Sequence, residues 1–148
     1  MLIRRAVVRD GKRLTRLVRN SAAYQGPYAA MVAGYRVGPD YIEANRVFVA
    51  VDEADDGRLL GFYSLIVDPP ELDLMFVADD AQGLGIGRRL IEHLRGEARG
   101  AGLDSVRIVS HPPSEGFYRS VGARLTGSVP ANPPAVMWAR PELALAVA

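Results

Sequence analysis

The chain has 148 residues, 49% of them hydrophobic, with a formal net charge of +1, which favours one soluble domain over residues 1–148 and excludes a large nucleic-acid footprint. Cysteine is absent and the two histidines, His93 and His111, lie far apart in sequence, which excludes disulfides, thiolate metal sites and a Cys nucleophile and leaves no local metal-ligand pair. No apolar run is long enough to cross a bilayer, and the N-terminal residues have no secretory pattern, so a cytoplasmic protein without a membrane partner is expected.

Residues 2–8 read as a first strand, and Asp10 is a candidate N-cap for a helix in which Leu14, Leu17 and Val18 recur at helical spacing. The stretch 22–38, rich in Tyr, Ala and Gly, reads as a broken or second short helix. Runs 46–51 and 59–67 are strand-like, and the acidic turn between them, closing on Asp56-Gly57, joins them as a hairpin. Pro69-Pro70 breaks the chain before a strand over 71–77. Next, Ile86, Leu90, Ile91, Leu94 and Ala98 form one apolar stripe, with arginines and glutamate opposite, until Gly100 and Gly102 end the helix. A strand over 104–110 follows, then a short helix opened by Pro112-Pro113-Ser114-Glu115 and ended by Gly122. Segments 124–129 and 135–140 are the expected closing strands. This order predicts a mixed α/β layer architecture.

The chemistry concentrates at Gln82-Gly83-Leu84-Gly85-Ile86-Gly87, between the strand over 71–77 and the amphipathic helix. Glycines permit close backbone approach and positive φ, and the first N–H groups of a helix point at whatever fills the turn. Those donors suit a phosphate, and Arg88 and Arg89 add positive charge. The dinucleotide spacing G-x-G-x-x-G fails, because the third position is Arg88 or Leu90 depending on where the count starts. No Walker A string is present. A glycine turn with no ligand is the plain alternative.

The string Gln82-x-x-Gly85-x-Gly87 resembles the Q/R-x-x-G-x-G/A signature of the GCN5-related N-acetyltransferase (GNAT) superfamily. A second motif, Phe117-Tyr118-Arg119-Ser120-Val121-Gly122, matches that family's Phe-Tyr-x-x-x-Gly, and the two stand in the family's order. The resemblance covers the whole chain and implies a mostly antiparallel central sheet of six to seven strands flanked by about four helices. It implies acetyl transfer from acetyl-coenzyme A to a primary amine by direct attack, with no metal. The runner-up is a module that binds acetyl-coenzyme A without turnover. Dimers are common in the family, and an exposed strand near the C-terminus is where a homodimer would form.

The resemblance also assigns residues. Residues 82–87 and Arg88 would hold the pyrophosphate, while the backbone of Phe76 and Val77 would pair with the pantetheine arm as an added strand does. Tyr118 would protonate the leaving thiolate. Glu71 sits where some relatives carry a glutamate base, Asp73 is its alternative, and Glu43, Glu115 and His111 stay open. Many relatives carry an asparagine before the Phe-Tyr helix; here the loop reads Ser110-His111-Pro112-Pro113-Ser114, and Ser114 is the partial substitute. The acceptor pocket would draw on Tyr24, Tyr28, Tyr35, Tyr41 and Trp138, which could equally be packing residues.

Overall fold

Residues 46–52 and 58–66 are buried on both faces, which commits them to the middle of a sheet covered on two sides. The computed structural model describes residues 1–24 and 26–148. Its elements run β1 (Leu2–Arg5), α1 (Gly11–Arg19), α2 (Pro39–Ala44), β2 (Arg46–Asp52), β3 (Arg58–Ile66), β4 (Glu71–Val77), α3 (Ile86–Gly100), β5 (Ser105–Val109), α4 (Glu115–Ser120), β6 (Arg124–Val129) and β7 (Arg140–Ala146). The strands form one seven-stranded sheet in the order β1-β2-β3-β4-β5-β7-β6. Neighbours are antiparallel except β4 and β5, which run parallel. The mixed, mostly antiparallel architecture implied by the resemblance is therefore the one observed. No helix among the described residues is long and apolar enough to cross a membrane.

Two cores lie on opposite faces. One packs Ile86, Leu90, Ile91 and Leu94 of α3, with Tyr118 of α4, against Tyr63, Leu65 and Ile108. The other packs Leu14 and Val18 of α1 and Ile42 of α2 against Val47, Val49, Phe62 and Phe76. Packing is what makes α3 a helix. Gly87, Gly96 and Gly100 each cost about 1 kcal/mol relative to alanine. Burial of Ile86, Leu90, Ile91 and Leu94 returns about 2 kcal/mol each, which outweighs that cost. The helix then stops on Gly102 at φ +77°, where Leu103 N–H bonds Ala98 O at 2.9 Å and Gly102 N–H bonds Arg99 O at 3.0 Å. This is a Schellman closure.

Four expectations are corrected. The first strand is shorter than 2–8, because Val8–Asp10 turns into a single 3-10 turn around the buried Asp10 carboxylate. Asp10 occupies the N-cap position of α1 without capping it, and accepts instead from Val7 N–H, Arg4 and Arg13. Within 22–38 the structure has two 3-10 turns, Ala22–Tyr24 and Gly26–Met31; Gln25 lies outside the described residues. The final strand is not 135–140 but Arg140–Ala146. Pro133 and Pro134 offer no donors to a ladder, whereas Leu143 and Leu145 alternate with Glu142 and Ala144 and bury on the α3 side. Helix α2 was not foreseen, although Pro39 at its start and Asp40 in its first turn are ordinary start signals.

Candidate active site

A seam in the sheet creates the site. β4 and β5 pair only at Glu71 with Arg107 and at Leu72 with Ile108, and beyond that the two strands part. From Asp73 to Val77, β4 therefore has one edge without a strand partner. On its other edge β3 pairs Ser64 with Leu74 and Leu65 with Leu72, so Asp73 is an extra residue in a bulge. A cavity of about 380 Å³ fills the seam on the α3 and α4 side. A second, also about 380 Å³, opens on the α1 side. Both are walled by the same stretch of β4 and by Tyr24, Val109 and His111.

The first cavity ends at the start of α3. Gly83 and Gly85 take φ of +79° and +78°, the left-handed region that β-carbons disfavour, and Gly85 is the N-cap residue. No side chain caps this helix and no acid lies in its first turn. The first bond of the helical ladder is Arg89 N–H to Gly85 O at 3.2 Å, which leaves the N–H groups of Ile86, Gly87 and Arg88 without an intrahelical acceptor. Arg88 and Arg89 have no ion-pair partner among the described residues and crowd positive charge at the positive end of the helix dipole, an unfavourable placement without an anion. Unused donors, surplus positive charge and bare glycine backbone together fit a diphosphate. Gln82, Gly83, Gly85, Ile86, Gly87 and Arg88 all line the cavity. Leu84 does not, and its side chain faces solvent. Gln82 ties the loop back by donating from Nε2 to Val77 O at 3.0 Å.

Gly87 has a second reason to be glycine. A β-carbon there would lie 3.0 Å from the Phe117 ring and 3.6 Å from Met75 Cε. The two sequence motifs thus touch, and α4 is seated on the first turn of α3. Its end is a second Schellman closure, with Gly122 at φ +102°, Ala123 N–H to Tyr118 O at 3.0 Å and Gly122 N–H to Arg119 O at 3.1 Å. Arg95 of α3 reinforces the pairing by donating to Val121 O at 2.7 Å. Tyr118 is thereby buried at the wall of the cavity, which Ser114 also lines. Its hydroxyl makes no hydrogen bond with the described residues. Burial, with a smaller contribution from Tyr24, pushes that phenol well above its ordinary range.

On the other side of the seam the acceptor-face wall contains Glu71, Asp73, Arg107, Arg140, Tyr35 and His111. Glu71 is held by Arg107 at 3.0 Å, and Arg107 also binds Glu142 at 2.9 Å. Tyr41 donates to the Asp73 carboxylate and also bonds Ser64 Oγ at 2.7 Å, so it packs rather than lines a pocket. Tyr24 stacks on His111 with ring centroids 4.1 Å apart, and burial pushes its phenol up to about 12. Tyr28 meets Trp138 edge-on at 4.6 Å and His111 at 5.7 Å. Of the aromatic residues named from the sequence, Tyr24, Tyr28 and Trp138 thus meet through His111 and join the segment after α1 to the loop before β7. Glu43 and Glu115 line neither cavity, and Glu115 pairs with Arg119 at 3.2 Å. His111, left open by the sequence, lines both cavities, and Arg140 was not singled out at all.

Comparison with known proteins converges on one family. A family model described as an acetyltransferase (GNAT) domain matches residues 43–122. Among curated proteins, the chain is 27% identical over 134 residues to the peptidyl-lysine N-acetyltransferase YjaB of Salmonella typhimurium, covering 84% of each. Among solved structures, a GNAT-family protein of Desulfovibrio desulfuricans superposes with a TM-score of 0.78 at 17% identity, covering 99% of each chain. YncA of Salmonella typhimurium, solved with its cofactor acetyl-CoA, superposes with a TM-score of 0.72 at 22% identity, covering 100% of this chain and 94% of that one.

Proposed function

The chain belongs to the GNAT acetyltransferase family, and from that premise we propose that it transfers acetyl from acetyl-coenzyme A to a primary amine by direct attack. The observation that carries this reading is the uncapped, arginine-flanked start of α3, which opens into the same cavity as the buried Tyr118. The Salmonella relative's substrate class, peptidyl-lysine, is itself a primary amine and supports the acceptor chemistry.

The residues divide the work. Backbone N–H groups of 82–88 take the pyrophosphate, the free edge of β4 at Phe76 and Val77 takes the pantetheine arm, and Ser114 lines its path. Acetyl-coenzyme A supplies a thioester acyl group and a thiolate leaving group. Tyr118, kept neutral by burial, donates its proton to that sulfur. The amine enters from the α1 side and gives up its proton to the wall of the second cavity. Glu71 is the sequence's candidate for that step, but its carboxylate is occupied by Arg107 and it lines only the outer cavity. Asp73 and His111 line both cavities, and Asp73 already accepts from Tyr41. We assign the proton-accepting role to His111 for its place at the seam, where an imidazole can take up a proton and pass it on.

Two measurements test the reading. Acetyl-coenzyme A must raise the melting temperature in a concentration-dependent way, and addition of an amine must release free thiol. Gly85→Val should abolish the thermal shift, because a β-branched residue at φ +78° is strained and obstructs backbone approach. No shift with the wild-type protein at saturating coenzyme removes the coenzyme site. A shift without thiol release from any amine leaves only a binding module.

A further inference from the structure

The acceptor cavity contains one charge that the fold does not use. Four ionised side chains stand in its wall: Glu71, Asp73, Arg107 and Arg140. Arg107 is already neutralised between Glu71 and Glu142. Asp73 receives a hydrogen bond from a neutral phenol, Tyr41, and keeps its charge uncompensated. Arg140 has neither a hydrogen bond nor an ion pair with any described residue, and its Nε is sealed from solvent without an acceptor. Buried donors left unmet are costly, and an unpaired guanidinium in a cavity is matched to a carboxylate or phosphate.

Its position gives the charge a meaning. Arg140 and Glu142 are two apart on β7 and share a face. The β5–β7 register sets Val109 against Glu142, and Ser110 N–H bonds Pro141 O at 3.0 Å, so the ladder brings Arg140 level with His111. Asp73 and His111 belong to both cavities and stand at the seam, whereas Arg140 lines the acceptor cavity alone. An acceptor that reaches the seam with its nitrogen has its remainder beside Arg140.

We propose that the acceptor is an amine that also carries a carboxylate, with its nitrogen at Asp73 and His111 and its carboxylate on the Arg140 guanidinium. With Glu142 on Arg107, three carboxylates and two guanidiniums stand in or against this wall, so a zwitterion adds no net charge to it, while a dianionic phosphate adds repulsion with Glu71 and Asp73. This inference rests on the acetyl-transfer reading and narrows its substrate class.

The test uses matched pairs at fixed acetyl-coenzyme A: glycine with methylamine, β-alanine with ethylamine, γ-aminobutyrate with propylamine, phenylalanine with phenethylamine, and lysine with cadaverine. A peptide with one internal lysine and both ends blocked supplies an amine with no carboxylate nearby. Thiol release gives kcat/KM for each. The acid member of the best pair is expected to exceed its plain amine by roughly 10- to 100-fold, the range that charge-assisted hydrogen bonds supply. Arg140→Gln should erase that preference through KM, and Arg140→Lys should restore part of it, with the acetyl-coenzyme A thermal shift unchanged in both. Equal use of the two members in the wild type overturns the proposal, as does turnover confined to plain amines or to the blocked peptide. A preference that survives Arg140→Gln removes Arg140 as the anchor and overturns it too. Loss of the coenzyme shift in the wild type is a different failure, that of the acetyl-transfer reading itself.

Discussion

Burial keeps the Tyr118 hydroxyl protonated far beyond neutral pH, which is the state an acid must hold before it donates. Tyr118→Phe is expected to lower kcat by roughly 100-fold or more while leaving the coenzyme thermal shift intact, since only the donated proton is lost. Because that phenol is raised, no alkaline fall in kcat should arise from it between about pH 6 and 9. His111→Gln should remove the acidic limb of the kcat/KM profile, whereas Glu71→Gln should keep the limb; the reverse result returns the base to Glu71. At this scale the sequence was informative wherever a local string carries the chemistry. The glycine turn that opens α3 and the short helix that carries Tyr118 were legible because glycine at fixed offsets has local consequences. Arg140 was not, and His111 stayed one open candidate among several, since their places depend on which residues a distant strand register sets side by side.

Helices α3 and α4 act as one unit through the contact of Gly87 with the Phe117 ring. A single methyl group there would lie 3.0 Å from that ring, so α4 must shift or tilt to accept it. Gly87→Ala is expected to destabilise by about 1–3 kcal/mol, read as a lower melting temperature, despite alanine's better helix propensity. Its effect on activity should exceed its effect on coenzyme affinity, because the displaced element carries Tyr118. A variant with raised stability and unchanged kcat would show that the ring yields freely. Both helices were legible from their stripes and terminal glycines. The last strand was not: 135–140 contains Val136, Met137 and Trp138, an apolar run that imitates a strand, yet Val136 bridges back to Asn132 across the Pro133-Pro134 turn and Trp138 packs on Tyr28. Its partner 140–146 was missed because Arg140 and Glu142 interrupt the apolar pattern on the cavity face.

For the molecule as a whole, stability against acid should depend on Asp10. Burial alone would raise this carboxyl, but hydrogen bonds from Arg4, from Val7 N–H and from Arg13 outweigh it and hold the group well below the usual carboxylate range. A depressed folded value means the contribution is complete above about pH 4, the unfolded value, and fades as pH falls below it. Asp10→Asn should cost about 2 kcal/mol at pH 7 and progressively less at low pH, measured by urea unfolding across that range. A pH-independent difference would deny the linkage. The fold class was legible as a whole because element order and the two motifs agreed; the bulge at Asp73, beside the seam between β4 and β5, was invisible until the register was known. That seam makes the sheet a partition with a doorway. On the proposed reaction the two reactants would reach this doorway from opposite sides of the sheet, neither queuing behind the other, and their products would leave by separate exits. A bulky acceptor need not fit inside: only its amine has to cross the threshold, and the remainder of the molecule can stay outdoors.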